Sequence, residues 1–294
     1  MTLILIGGPT ASGKSALALD LAKQLRGQII NADSMQVYKD LPILSAQPSD
    51  EEKEQAPHKL YGFLEMDQPF SVAKWVNLAV HEIKNFEGPS IVVGGTGLYL
   101  KALLEGISSI PEIPPSIRES LSQQETKDLY EYLQKEDPSM ATRLKPGDTQ
   151  RIIRALEVKL HTGKSLLEWQ AYETESPFKK ERPFVIKILP PREELYESIN
   201  KRAEWMIERG GLEEVAAVKF KDLNSLKTLG YEELHAYLQG KLLLKEASLK
   251  MQQKTRNYAK RQITWFRHQM KADLVVEKIY RLDENLVKKI LRLL

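Results

Sequence analysis

Residues 8–15 read Gly8-Pro9-Thr10-Ala11-Ser12-Gly13-Lys14-Ser15 and fit the phosphate-loop pattern G-x-x-x-x-G-K-[ST]. An apolar run at residues 3–6 precedes them and a helix-like stretch at 16–25 follows, which is the strand-loop-helix setting that gives the pattern meaning. In such a turn the backbone N–H groups converge on an anion and the following helix offers its positive end. Lys14 adds a mobile charge and the Ser15 hydroxyl can ligate Mg2+. A chain built this way folds around a parallel sheet and holds a di- or triphosphate at a strand tip. The loop does not say what the phosphate is for: the same cradle serves a transferable phosphoryl group or a diphosphate about to leave.

The next 90 residues alternate strand and helix signals, the pattern of a parallel sheet covered by helices on both faces. Short strands are expected at 28–31 and 90–93, and a helix at 70–86 with Val72, Trp75, Val76, Ala79 and Ile83 on one face. The 90–93 strand runs into Gly94-Gly95-Thr96-Gly97 and a helix at 98–104. Asp33 and Thr96 thus fall at strand C-terminal ends, where open α/β sheets bind ligands. Past Gly106 the character changes. Three prolines, Pro111, Pro114 and Pro115, lead into a helical stretch in which Asp148 caps a helix closed by Gly163. An extended run returns at 184–189, and residues 272–277 read as a last strand. The division that follows is a phosphate-loop core at 1–115, a helical insertion at 116–182, and a second, mostly helical part of the core at 183–294 that would carry RNA-binding surface.

Asp33 supports three readings: an NTPase aspartate holding Mg2+ through water, an Asx turn at a strand end, and a general base beside a leaving phosphate, with Ser34 and Gln36 free for a polar substrate edge. Spacing does not separate them. Arg202 lies in a helix whose apolar residues Leu195, Ile199, Trp205 and Met206 are expected to face the core, and it gains interest because a departing diphosphate needs a second cation opposite Lys14. Residues 250–271 hold seven Lys and Arg and no Asp or Glu, interleaved with Tyr258, Trp265 and Phe266. They read equally as a solvated face over a core stripe of Met251, Tyr258 and Trp265, or as an arm, including Lys260 and Arg261, lying on phosphate backbone. The five histidines lack metal-ligand spacing, and with no cysteine there is neither disulfide nor thiolate zinc. A net charge of +3 concentrates any polyanion binding in a local patch. No window reaches membrane-spanning length and the chain opens directly on its first strand without a leader, so the expected place is the cytoplasm. The loop alone would suit a small-molecule kinase; loop and basic stretch together would suit an NTP-switched RNA-binding module.

Four segments taken in order decide further. Gly8 to Ser15, Asp33-Ser34-Met35-Gln36-Val37-Tyr38, Val93-Gly94-Gly95-Thr96-Gly97-Leu98-Tyr99 and Thr255-Arg256-Asn257-Tyr258-Ala259-Lys260-Arg261-Gln262-Ile263-Thr264-Trp265 resemble the bacterial tRNA dimethylallyltransferase family over nearly the whole chain. The resemblance implies a phosphate-loop core with a helical insertion. It also implies transfer of a dimethylallyl group from dimethylallyl diphosphate to the exocyclic N6 amine of the adenosine 3′-adjacent to the anticodon in tRNA, with Mg2+; the chain is separately expected to act as a monomer. It assigns Asp33 as base, Arg202 and Lys14 to the diphosphate, residues 10–15 to its cradle and Ser15 to the metal. Asp33, Ser34, Met35, Gln36, Thr96, Arg118, Asp148, Thr149, Gln150 and Arg151 are implied to meet tRNA at its anticodon stem-loop. Two departures stand out. The family's Gly-Thr-Ala-Lys-Pro is here Leu44-Ser45-Ala46-Gln47-Pro48, without the lysine, and the zinc-finger extension of eukaryotic members is absent.

Overall fold

The computed structural model describes residues 2–68, 70–172, 174–218 and 228–294. It divides into two compact units, Met1–Glu105 with Ser176–Leu294, and Gly106–Glu175. In the first unit the elements that matter here run β1 (Leu3–Gly7), α1 (Lys14–Leu25), β2 (Gln28–Asn31), β3 (His58–Lys59), α2 (Val72–Lys84), β4 (Ser90–Gly94) and α3 (Gly97–Glu105). After the second unit follow β5 (Phe184–Ile188), α4 (Arg192–Met206), α5 (Leu244–Gln269), β6 (Leu274–Val276) and α6 (Glu284–Leu293). All six strands pair in parallel in the order β3-β2-β4-β1-β5-β6.

The strands are apolar on both faces because helices cover both. Ile4, Ile6, Ile29, Ile91, Val93, Ile186 and Ile188 pack with Leu17 and Leu21 of α1 and with Val287 and Ile290 of α6. Such continuous apolar strands are what a doubly covered parallel sheet requires. Elsewhere in this unit Trp75 of α2 is wholly buried, stacks on Tyr99 at 4.5 Å between ring centroids, and donates its indole N–H to the Asn31 carbonyl at 2.8 Å. That bond ties α2 to the last residue of β2, two positions before Asp33.

The strand at His58–Lys59 carries no alternation over its two residues and was not expected. The helical unit also begins and ends earlier than the 116–182 expectation, for a packing reason at each edge. Ile110 and Ile113 pack on the second unit's core of Leu121, Leu129, Leu133, Ile152, Ala155 and Leu156. Residues 176–182 belong to the sheet-bearing unit: Phe178 is fully buried and Ser176 Oγ donates to the Leu103 carbonyl at 3.0 Å. Within the second unit, Asp148 accepts from the Arg151 N–H and Gly163 closes the helix Thr149–Thr162 at φ 72°, the caps the sequence called for.

Candidate active site

A cleft of about 460 Å3 opens at the C-terminal edge of the sheet and is lined by the phosphate loop, Asp33, Gln36, Ser198, Arg202 and Trp205 among others. The loop adopts a tight nest: Ala11 and Gly13 both have positive φ, 61° and 86°. A Cβ on Gly13 would come within 2.3 Å of the Tyr280 carbonyl oxygen, and the Tyr280 N–H donates to the Ser12 carbonyl at 3.1 Å. Glycine there answers both the backbone conformation and the close approach of that strap.

α4 docks on the loop through two side chains one turn apart. Ser198 Oγ donates to the Ala11 carbonyl at 3.0 Å, and Arg202 Nη2 donates to Thr10 Oγ1. Lys14 Nζ donates to the Pro9 carbonyl at 2.8 Å, while the buried Ser12 hydroxyl has no partner among the described residues. Two cations therefore face one small volume. Burial pushes Lys14 down to about 8; Asp33 opposes that shift and Arg202 adds to it. Burial likewise lowers Arg202 to about 10, again against the pull of Asp33. Asp33 is thus within electrostatic reach of both. The arrangement is a site waiting for multiple negative charge.

From Lys14 follows the first expected result. The charge of this lysine is lost as pH rises through about 8, so the apparent Kd for a diphosphate ligand should climb by about tenfold per pH unit above that point, and a Lys14→Arg variant should hold a flat profile to about pH 9, where Arg202 begins to lose its own charge. Titration calorimetry across pH 6.5–10 checks it. An unchanged Kd in the wild-type chain would remove Lys14 from the site.

Asp33 sits in an Asx turn and at the cleft together. Its N–H donates to Asn31 Oδ1 at 2.7 Å and its Oδ1 accepts from the Met35 N–H at 3.0 Å. One geometry is therefore compatible with the Asx-turn reading and with either of the two site-carboxylate readings that sequence spacing left open. Thr96 supports it from the turn after β4: its hydroxyl accepts from the Ser34 N–H at 2.9 Å and its N–H donates to the Ala32 carbonyl at 3.1 Å. The Gln36 amide, which also lines the cleft, is engaged by protein and donates to the Ser45 and Ala46 carbonyls at 2.9 and 2.6 Å. Tyr61, Tyr99 and Tyr258 are raised first by burial and also by Asp33's charge, so near neutral pH they remain protonated phenols.

Several sequence readings change here. Trp205, expected to face the core, is 47% exposed at the cleft, with the Arg209 guanidinium over its ring at 5.8 Å. On α5 the buried residues are Ala247, Met251, Gln252, Thr255, Ala259, Gln262, Ile263 and Phe266, and neither Tyr258 nor Trp265 is fully buried. The basic run is not all available either. Lys254 pairs with Glu232 and, at 2.5 Å, with Glu233, whereas Lys260 and Arg261 stay exposed, Arg261 over the Tyr258 ring at 5.6 Å. In the helical unit Arg118 makes a two-pronged pair with the buried Glu157, at 2.8 and 2.9 Å, which Arg154 also meets at 2.6 Å. Gln150 and Arg151 are exposed beside the Asp148 cap. The Gln47 amide, where the lysine of the family pattern would stand, donates to the Tyr38 carbonyl at 2.7 Å. Ser198, Trp205, Gln262 and the Tyr280 strap were missed as site elements. For Gln262 a signal existed: a glutamine on the same helical stripe as Ala259 and Ile263.

Fold and site together define a phosphate-loop α/β protein with a carboxylate placed opposite its anion nest. The family model for IPP transferase matches residues 36–269 and that for isopentenyl transferase matches residues 1–61. A tRNA dimethylallyltransferase of Rhodospirillum centenum is 46% identical over 281 residues, covering 92% of this chain and 90% of its own. Among solved structures, a tRNA isopentenylpyrophosphate transferase of Staphylococcus epidermidis aligns at TM-score 0.70 and 32% identity over 99% of this chain and 98% of its own. A eukaryotic dimethylallyltransferase acting on tRNA aligns at TM-score 0.75 and 28% identity over 90% and 70%. This chain belongs to the IPP transferase family, the tRNA dimethylallyltransferases, and is a prenyl-transferring enzyme.

Proposed function

We propose that the chain transfers a dimethylallyl group from dimethylallyl diphosphate to the N6 amine of the adenosine 3′-adjacent to the anticodon in tRNA, acting as a cytoplasmic monomer. The observation that carries the reading is one cleft shared by Asp33, Lys14 and Arg202, with the carboxylate at one strand tip and the cations around the loop of another. In the reaction the allylic C–O bond breaks, the new C–N bond forms, the N6 proton passes to the Asp33 carboxylate and diphosphate leaves. An adenine amine is a weak nucleophile because its lone pair is delocalised, so a positioned base is the aid it needs. Charge developing on the departing oxygen falls to Lys14, Arg202 and the loop N–H groups, in a cleft where such donors are worth most.

A divalent ion fits the donor set. Among the described residues no cluster of three His, Asp or Glu could hold a metal alone, so the ion would enter with the diphosphate and take the Ser15 hydroxyl as its protein ligand, the pattern Mg2+ favours. Bound there, it would neutralise phosphate oxygens. The target base must leave its stack to reach the cleft, and loop bases are the cheapest to extrude. In this reading Thr96, Ser34 and Met35 would serve the acceptor adenosine, Lys260 and Arg261 would meet phosphate, and Arg118 with residues 148–151 would be the helical unit's contribution to RNA binding. Among the described residues no helix is long and apolar enough to cross a membrane.

The test is incubation with radiolabelled dimethylallyl diphosphate and an anticodon stem-loop RNA, with ATP alone as the control. Label in RNA with stoichiometric diphosphate release is expected, and ATP should remain intact. ATP turnover without RNA would point to the kinase instead, and nucleotide-gated RNA binding with no transfer to the switch module. A Lys260→Ala/Arg261→Ala pair should bind that RNA with a salt-dependence slope smaller by roughly 1.5, as loss of two phosphate contacts requires, while turnover at saturating RNA is unchanged. An unaltered slope in filter binding between 50 and 250 mM salt would take these residues off the RNA.

A further inference from the structure

Gln262 is a polar side chain on the buried stripe of α5. It is 6% exposed, on the inner face of α5, and its side-chain amide joins two strand tips: Oε1 accepts from the Thr10 N–H at 2.9 Å and Nε2 donates to the Gly95 carbonyl at 2.9 Å. Both partners are backbone groups of fixed sense, one a donor and the other an acceptor, so the orientation of the amide is dictated. We propose that Gln262 is a positioning residue that sets the phosphate loop at a fixed distance from the Asp33 carboxylate, and so controls how the donor carbon meets the acceptor nitrogen. The inference rests on the prenyl-transfer reading above.

The connection is continuous. Arg202 holds the Thr10 hydroxyl, Thr10 N–H holds Gln262, and Gln262 holds Gly95. The adjacent Thr96 holds Ser34, which follows Asp33. A Cβ on Gly95 would lie 2.3 Å from Gln262 Nε2 and 3.2 Å from Asp33 Oδ2, so glycine is what lets amide and carboxylate meet at this backbone. The helix bearing Gln262 is itself pinned. Trp265 lies where a Cβ on Gly97 would stand, at 2.1 Å, and the buried Lys187 Nζ donates to the last-turn carbonyls of Phe266 and Met270 at 3.1 and 2.8 Å. Thr10 is consequently less a phosphate ligand than a hub: its N–H and hydroxyl are both engaged by protein. Misplacing reacting groups by about 1 Å can cost on the order of 100-fold in rate, which is the scale a spacer of this kind governs.

A charge-for-amide exchange tests the idea. In Gln262→Glu the ionised carboxylate can still accept from Thr10 but presents a lone pair to the Gly95 carbonyl; once protonated it restores both bonds. Asp33 at the β2 tip meets it across Gly95, and the titratable groups coupled to Asp33 are Lys14 from α1, Arg202 from α4, Tyr61, Tyr99 from α3 and Tyr258 on the same helix as Gln262. The wild-type chain carries all of them, so the ratio of variant to wild-type kcat cancels their titration. That ratio should be about 0.01 at pH 8.5 and rise at least about tenfold by pH 6, with KM for dimethylallyl diphosphate little changed. Gln262→Met, similar in length and without either bond, should keep affinity for inorganic diphosphate within about twofold by calorimetry while its kcat falls about 100-fold at every pH. A pH-flat ratio for Gln262→Glu, a wild-type kcat in Gln262→Met, or a tenfold loss of diphosphate affinity there would each overturn the proposal; if Gln262→Glu does not fold, Gln262→Met decides alone. Failure of the wild-type chain to modify RNA would instead strike the functional reading, and the diphosphate titration of Gln262→Met still judges the residue.

Discussion

Asp33→Asn is expected to lower kcat for prenyl transfer by about 10²- to 10⁴-fold while leaving RNA affinity within a factor of about two. The asparagine keeps an oxygen for the Met35 N–H, so the turn that presents the side chain survives, but it cannot take a proton from the amine. Asp33→Ala is the poorer probe because it also removes that turn bond. A second consequence separates the two jobs of the carboxylate. Asp33 is what opposes the downward shift of Lys14, so without its charge Lys14 titrates below about 8 and the fall in donor affinity begins at lower pH than in the wild type. Measured at pH 6.5, where Lys14 is charged in both proteins, KM for the donor should match and the whole deficit should appear in kcat; at pH 8 KM should rise as well. Single-turnover kinetics at the two pH values check this. A variant retaining more than a tenth of wild-type kcat at pH 6.5 would remove Asp33 from the role of base.

What the sequence disclosed and what it hid follow a physical division. The loop at 8–15 was legible because its chemistry is local: glycine at a positive-φ turn, lysine and serine at a helix start all sit within eight residues. Asp33 and Thr96 were legible as strand-tip residues because apolar runs marked β2 and β4. Their mutual bonding through Ser34 was not, since strand order decides it and β4 lies between β1 and β2. The aromatic residues of α5 misled for a reason of size. Tyr258 and Trp265 look like core, but a close helix approach places Ala259 and Ile263 against Leu195 and Ile199, while Trp265 lies over a glycine of the β4 loop. Trp205 likewise reads as core by spacing and instead stands at the cleft rim, because α4 passes the phosphate loop with Ser198 and Arg202 inward. Gln262 was passed over within a run noticed for its charge; a polar residue on a buried stripe announces a specific partner, though the sequence does not say which.

Arg202→Met should cost about 3 to 4 kcal/mol in the barrier, a drop in kcat on the order of 10²- to 10³-fold, since in the proposed reaction it removes a charged donor for the departing diphosphate. The methionine preserves the aliphatic stem, so packing of α4 beside Ala203 and Met206 is retained and the melting temperature should stay within a few degrees. The electrostatics carry a signature that a packing defect would not. Arg202 contributes to lowering Lys14, so its removal should move the Lys14 transition upward from about 8, and the donor affinity of the variant should persist to higher pH even as turnover fails. Arg202→Lys is expected to recover little of the rate. An ammonium of shorter reach cannot hold the Thr10 hydroxyl and also leave donors for the phosphate, whereas a guanidinium presents several at once. The two losses have different origins: Asp33→Asn withholds the proton acceptor and Arg202→Met withholds the cation at the opposite end of the same bond exchange. With both groups acting on one transition state, the double variant should lose less than the product of the single losses, because the second change acts on a reaction already without a concerted partner. Strict multiplicativity in kcat across the four proteins would mean that the two groups stabilise that transition state independently of each other.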